Sequence, residues 1–241
     1  MYPMRNQWKE KIAPLAKFLK SRVGALPSLA DRLPAMSKVL VLHSSLNGTA
    51  SRSAGLINRF LAERAAQGFD DVVTVRDLTA LGLPVLDEEI FHALRGAENP
   101  GPRARQAIAL SDALIGELMD SDLLLIAAPM YNLNVPTPLK NWFDLVARAR
   151  VTFRYTDTWP QGLVQGVEAV VFSPRGGVHV GQGTDTVTPY LQSVLGLIGI
   201  TEVDFVYAEG MDIRPHGIEQ GMARAQAQLT ALAQRMPLPT H

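Results

Sequence analysis

Leu123 to Ala128, LLLIAA, is an unbroken apolar run of six residues. A half-buried strand would alternate apolar with polar, and a buried helix would run longer. The run suits a strand covered on both faces, and such strands belong to parallel sheets with helices above and below. Four further β-type segments accompany it: Lys38–His43, Val72–Val75, Val167–Phe172 and Val203–Tyr207. Helical spacing fills the intervals. Ile57, Phe60 and Leu61 share one face of a helix ending near Gly68, and Asp87–Arg95 forms a shorter piece. Ala107, Leu110, Leu114 and Leu118 mark another helix. Thr137-Pro138 reads as N-cap and first helical residue ahead of Leu139, Trp142, Phe143 and Val146. Tyr190–Ile200 is an apolar helix, and Ile218, Met222, Ala225, Leu229 and Leu232 line the last one. Five strands alternating with helices imply an α/β protein with a parallel sheet and right-handed crossovers.

For five strands the expected arrangement is the flavodoxin-like one: a doubly wound parallel sheet, order 2-1-3-4-5, in three layers. Ligands then sit outside the carboxyl ends of the strands. With 241 residues and 47% hydrophobic content, one domain is expected over residues 36–241. Balanced charge, 23 basic and 23 acidic residues, gives no reason to expect nucleic acid or a membrane surface. The absence of cysteine excludes disulfides, thiol catalysis and cysteine-ligated metal, and suits a reducing, cytoplasmic setting. Residues 1–35 are set apart. The first 36 residues carry seven basic side chains against Glu10 and Asp31, and Pro14 interrupts the helical spacing of Trp8, Ile12, Leu15, Leu19 and Val23. They are read as a loose appendage, or as an early start ahead of Met36, rather than as a basic membrane helix.

Three loops converge at the carboxyl ends of the strands. The first, His43–Ser53, has no Asp or Glu, offers hydroxyls and a glycine, and runs into a helix. Free N–H groups at a helix start attract anions, which makes this loop a candidate phosphate seat. The alternative expectation is that Ser51 and Ser53 do no more than cap the helix. The loop lacks both G-x-x-x-x-G-K-[ST] and G-x-G-x-x-G, which excludes a Walker-type site and argues against tightly held NAD. The second loop, Ala128–Pro136, places Met130, Tyr131 and Leu133 just past the apolar run, which suits a flat ring packed on them. Asn132 and Asn134 would bond the ring's polar edge or stabilise the turn. The third loop, Ser173 to His179, pairs Gly176 and Gly177 with Arg175. Its glycines permit close backbone approach; Arg175 would balance charge on a reduced ring or lie on the surface. His179 is either a proton donor or a solvated loop residue. No group of His, Asp or Glu has metal-ligand spacing.

Longer stretches carry a resemblance: SKVLVLHSS, Ser51-Arg52-Ser53, LPVLDEE, APMYNLNVPTPLKNWFDLVARA, VTFRYT, RGGVH, VTPYLQSVLGLIGI and FVYAEG. Together they resemble the FMN-dependent NADH:quinone oxidoreductases that also reduce azo dyes, the bacterial azoreductases, over Met36 to about Gln234. The resemblance implies FMN as cofactor, with its phosphate held at Ser45, Ser51, Arg52 and Ser53. It implies a ring held by Met130, Tyr131, Asn132 and Leu133, and a pyrimidine side reached by Pro174, Arg175, Gly176 and Gly177. Many members have Ser where Pro174 stands, so the hydroxyl lies one residue earlier, at Ser173; Arg52 is often Gln. The family further implies a homodimer with sites completed by the neighbouring subunit, and ping-pong electron transfer from NADH or NADPH to quinones and azo compounds. No side-chain nucleophile is expected, and Phe153 and Tyr155 would wall the second substrate or pack the dimer. Two other readings are a flavin or nitro-reductase and a flavodoxin-type electron carrier. Carriers are usually strongly acidic, which this chain is not. A third is a nucleotide-binding module without turnover.

Overall fold

The computed structural model describes residues 35–235. The extension expected over residues 1–35 therefore falls, apart from Ala35, outside the described residues. Five parallel strands form the sheet: β1 (Ala35–His43), β2 (Phe69–Asp77), β3 (Leu123–Ala127), β6 (Glu168–Pro174) and β7 (Val203–Ala208), in the order β2-β1-β3-β6-β7. This is the expected 2-1-3-4-5 arrangement of five sheet strands. Between β3 and β6 an antiparallel pair, β4 (Phe153–Arg154) and β5 (Gln161–Gly162), lies outside the sheet. The helices are α1 (Arg52–Ala66), α2 (Glu88–Ala93), α3 (Pro102–Met119), α4 (Thr137–Val146), α5 (Val187–Ile198) and α6 (Gly217–Arg235).

Successive side chains of a strand face opposite ways, and the core divides accordingly. Val39, Val41, Leu123, Leu125, Val170 and Phe172 pack with Leu56, Ile57 and Phe60 of α1 and Ala225 and Leu229 of α6. Leu40, Leu42, Leu124, Ile126 and Val171 pack on the other face with Leu114 of α3, Trp142 and Phe143 of α4, and Leu191 and Leu195 of α5. All five residues of β3 are buried, as a strand between two helical layers requires. At the sheet edge, Arg64 of α1 bonds Asp71 of β2 at 2.7 Å, both side chains almost wholly buried, and its guanidinium stacks 3.8 Å from the Phe69 ring centroid. The pair fixes α1 against the edge strand.

Four strands run past their expected ends: β1 starts at Ala35, β7 closes at Ala208, and β2 and β6 extend as well. β2 covers nine residues rather than Val72–Val75, because all of Ala35–His43 pairs with it in register. Its outer side is an edge, where Asp70 costs little, while Asp71 is paired with Arg64 and Arg76 with Glu117. β6 continues through Ser173 and Pro174, which were expected in a loop. Pro174 lacks an N–H, but its carbonyl accepts from the Met130 N–H at 3.1 Å, and a proline is tolerated at a strand's last residue. α4 begins at Thr137 with Pro136 as its N-cap, one residue ahead of the expected start.

Candidate functional site

The loop between β1 and α1 is tied to the sheet by Ser44, whose hydroxyl donates to the Ala127 carbonyl at 2.5 Å. Gly48, at φ 50°, takes the left-handed backbone that opens a short 3-10 turn, Gly48–Ala50. Ser51 is the N-cap of α1: its Oγ accepts from the Ala54 N–H at 3.2 Å, and its carbonyl accepts from Gly55 at 3.1 Å. The Ser53 hydroxyl is buried, 3.1 Å from that of Ser51. A helix start leaves four N–H groups without intrahelical partners. Here two are met by Ser51, and those of Arg52 and Ser53 have no acceptor among the described residues. No acidic residue lies in the first turn, and the Arg52 side chain is exposed. Of the two expectations for the serines, capping is met by Ser51, while the backbone beside it stays open to an anion. Burial pushes the His43 imidazole below its ordinary range against the pull of Asp77, so the seat's positive potential comes from the helix end and Arg52.

The loop after β3 stays attached to the sheet through the Ala128 N–H, which donates to Phe172 O at 2.9 Å, and then turns sharply. Tyr131 and Asn134 exchange backbone bonds of 2.9 and 3.0 Å around Asn132 (φ 50°) and Leu133 (φ 63°). Two positive φ values in a two-residue loop are the type I′ hairpin geometry, which favours Asn then Gly. Asn134 serves this turn, its Oδ1 accepting from the Val135 N–H at 2.8 Å. Leu133 is an unfavourable choice there, half exposed and held by the Thr186 hydroxyl donating to its carbonyl. A left-handed conformation costs a branched residue roughly 1–2 kcal/mol, and such strain persists where function needs the shape. Leu133→Asn is therefore expected to raise the unfolding free energy of the cofactor-free protein by roughly 0.5–1 kcal/mol, read from the urea midpoint. Tyr131 reaches back to the first loop. Its hydroxyl lies 3.3 Å from Ser45 Oγ and accepts from the Leu46 N–H at 3.2 Å and the Asn47 side-chain amide at 3.5 Å.

Arg175 departs from both expectations held for it. Its side chain is buried, neither on the surface nor free to meet a ligand. Nε donates to Ser173 Oγ at 3.1 Å, a second nitrogen to Thr188 Oγ1 at 2.9 Å, and the third pairs with Asp185 at 3.0 Å and Glu209 at 3.5 Å. The guanidinium also lies over the Tyr207 ring, 4.8 Å from its centroid. A guanidinium leaves water only with such partners. Burial opposes ionisation of Asp185, but the hydrogen bonds from Thr188 and the contact with Arg175 prevail and hold its carboxyl below the ordinary range. Ser173 is consumed in the same network, so this loop offers backbone. The Gly176 carbonyl accepts from the Asp212 N–H at 2.9 Å and that of Gly177 from Gly210 at 2.8 Å, whereas the glycines' own N–H groups have no acceptor among the described residues. A Cβ on Gly176 would collide with the Asp212 carboxylate, and one on Gly177 with the His179 ring. That ring is tied into its own loop, Nδ1 lying 2.9 Å from Thr184 Oγ1.

Ser45, Arg52, Ser53, Met130, Tyr131, Pro174 and Gly176 come together as walls of one cleft of about 570 Å³, part of it open to solvent. Ser51, Asn132, Leu133, Ser173, Arg175 and Gly177 belong to the same three loops without lining it. Phe153, Tyr155 and His179 do not line it either. Phe153 is buried with its ring edge-on to that of Tyr155 at 5.5 Å, and only Tyr155 offers surface. The cleft also takes Asn47, Pro129, Met211 and Asp212, which sequence reasoning missed. The signal for the last two was available: they follow β7, and its carboxyl end faces the same way as the other strands. Shallow hollows beside α2 and between α1 and α6 are of similar or larger size, but no loop at the carboxyl ends of the strands contributes to them.

A cleft that joins a helix start to Met130, Met211 and Pro174, at the topological switch between β1 and β3, defines a protein of the flavodoxin-like class. A family model described as flavodoxin-like fold matches residues 37–233. Curated relatives include FMN-dependent NADH:quinone oxidoreductase 4 of Burkholderia lata, 66% identical over 197 residues, covering 82% of this chain and 99% of the relative. The FMN-dependent NADH:quinone oxidoreductase of Aeromonas salmonicida is 55% identical over 198 residues, covering 82% of this chain and all of the relative. The chain belongs to this family of FMN-dependent NADH:quinone oxidoreductases. Among solved structures, an azoreductase from Bacillus anthracis superposes with a TM-score of 0.76 at 24% identity, over 83% of this chain and all of the other, a likeness of fold.

Proposed function

We propose that this protein is an FMN-dependent oxidoreductase that passes electrons from NADH or NADPH to quinones and azo compounds. The observation that carries the reading is one cleft holding two unlike ends. One is a helix start with two open N–H groups, an arginine and no acid; the other is a slot between Met130, Met211 and Pro174. These fit a phosphorylated planar cofactor. The N–H groups of Arg52 and Ser53 with the Arg52 guanidinium would hold the phosphate, Met130 and Pro174 the faces of the ring, and the Gly176 and Gly177 N–H groups its polar edge. FMN held there would supply the redox chemistry, hydride acceptance at N5 from nicotinamide and two-electron delivery to the second substrate in a ping-pong cycle.

The chain's own part is placement. Glycine at 176 and 177 lets backbone approach the ring, the Tyr131 turn sets the height of its apolar wall, and the buried Arg175 network keeps the third loop in shape. No side-chain nucleophile is required. The catalytic unit is assigned to residues 36–241, acting in the cytoplasm as a homodimer in which the exposed Tyr155 of a second copy would meet the acceptor.

Purified protein is expected to show flavin absorbance, or to gain it when FMN is added, and to oxidise NADH steadily with menadione. Absence of the flavin bands after reconstitution would refute the site. Bound flavin without steady turnover would instead favour an electron carrier, which the balanced charge of this chain argues against.

A further inference from the structure

Among the described residues, two charged side chains line the cleft, Arg52 and Asp212. Arg52 belongs to the helix start, where an anion would match it. Asp212 stands at the other end. Its N–H is fixed by the Gly176 carbonyl at 2.9 Å, and its carboxyl carbon lies 3.2 Å from where a Cβ on Gly176 would be. The carboxylate is therefore held over a residue that itself lines the cleft. It is exposed, and among the described residues it has no ion-pair partner. The neighbouring cation, Arg175, is already shared between Asp185 and Glu209. Three carboxylates thus stand against one guanidinium at this end, where the sequence had suggested a spare positive charge.

We propose that Asp212 sets the charge preference of the acceptor site, disfavouring aromatic acceptors that carry a sulfonate or carboxylate and admitting neutral or cationic ones. The inference rests on the reading above, in which Met130 and Pro174 hold the faces of the ring and Gly176 its polar edge. A fixed charge beside a partly enclosed cleft acts on any ligand entering it, and more strongly at low ionic strength. The same charge opposes the arrival of electrons on the ring, so it holds the potential of the bound flavin down.

The test uses holoenzyme and two acceptors of one shape, 1,4-naphthoquinone and its 2-sulfonate. Asp212→Asn is expected to raise the ratio of kcat/KM for the sulfonate over the neutral quinone about three- to tenfold, less at high salt. Its bound flavin should show a higher midpoint potential. Asp212→Glu, which keeps the charge, should resemble the parent in both. An unchanged ratio in Asp212→Asn, or an equal change in Asp212→Glu, overturns the proposal while leaving the FMN site standing. A parent protein that takes up no FMN overturns the underlying reading and this inference with it.

Discussion

Replacing Ser51 and Ser53 together by Asp is expected to give a folded protein that purifies without flavin colour. The double change places two carboxylates where the phosphate would rest. One unit pair roughly 4 Å apart repels by about 4 kcal/mol at the effective dielectric of a protein surface, about a thousandfold in affinity. The helix itself is not the casualty. Asp ranks with Ser as an N-cap, and acids in a first turn are favoured by the helix dipole. Circular dichroism should therefore match the parent while flavin absorbance is lost and added FMN no longer restores it. The pair Ser51→Ala and Ser53→Ala separates charge from hydroxyl loss. It leaves the open N–H groups of Arg52 and Ser53 in place and should weaken FMN far less. Full retention of flavin by the Asp double variant would refute the phosphate seat.

Arg175→Met is expected to be the most destabilising single change in the third loop. It leaves Asp185 and Glu209, both largely buried, facing each other without their cation. Breaking a buried pair in this way costs about 3–5 kcal/mol, measurable as a lower urea midpoint at neutral pH. Lys is a poor substitute because the guanidinium serves Ser173, Thr188, Asp185 and Glu209 in one planar fork. A pH series adds a second readout. The Asp185 carboxyl is held below its ordinary range, so its contribution is present above the unfolded carboxylate pKa and lost as pH falls through the folded one. In Arg175→Met that acid-side loss should shrink. A variant as stable as the parent would show that the network does not hold the loop.

The layout of the sheet was legible because burial on both faces leaves a mark that polar substitution would erase, as in Leu123–Ala127. The helix start without acids was legible for a similar local reason, since it is visible within His43–Ser53 alone. What escaped reading depended on distance along the chain. Arg175 looked like a loop cation because its partners, Asp185 and Glu209, lie ten and 34 positions away. Pro174 was expected in a loop, yet it closes β6, where only its carbonyl is used. Met211 and Asp212 carry no motif; they reach the cleft because Asp212 and Gly210 donate to the carbonyls of Gly176 and Gly177. Phe153 was read as a possible wall from its aromatic character, but pairing of β4 with β5 turns it inward.

The hydroxyl of Tyr131 joins the turn after β3 to the loop after β1 through Ser45, Leu46 and Asn47. The two ends of the cleft are thereby parts of one preassembled cradle. On the proposed reading, an FMN entering it would not have to organise the loop for its tail and the turn for its ring in separate steps, since the ordering entropy has been met during folding. Affinity for the whole molecule would then exceed what its fragments suggest, because phosphate and ring would be received at a spacing the protein has already set.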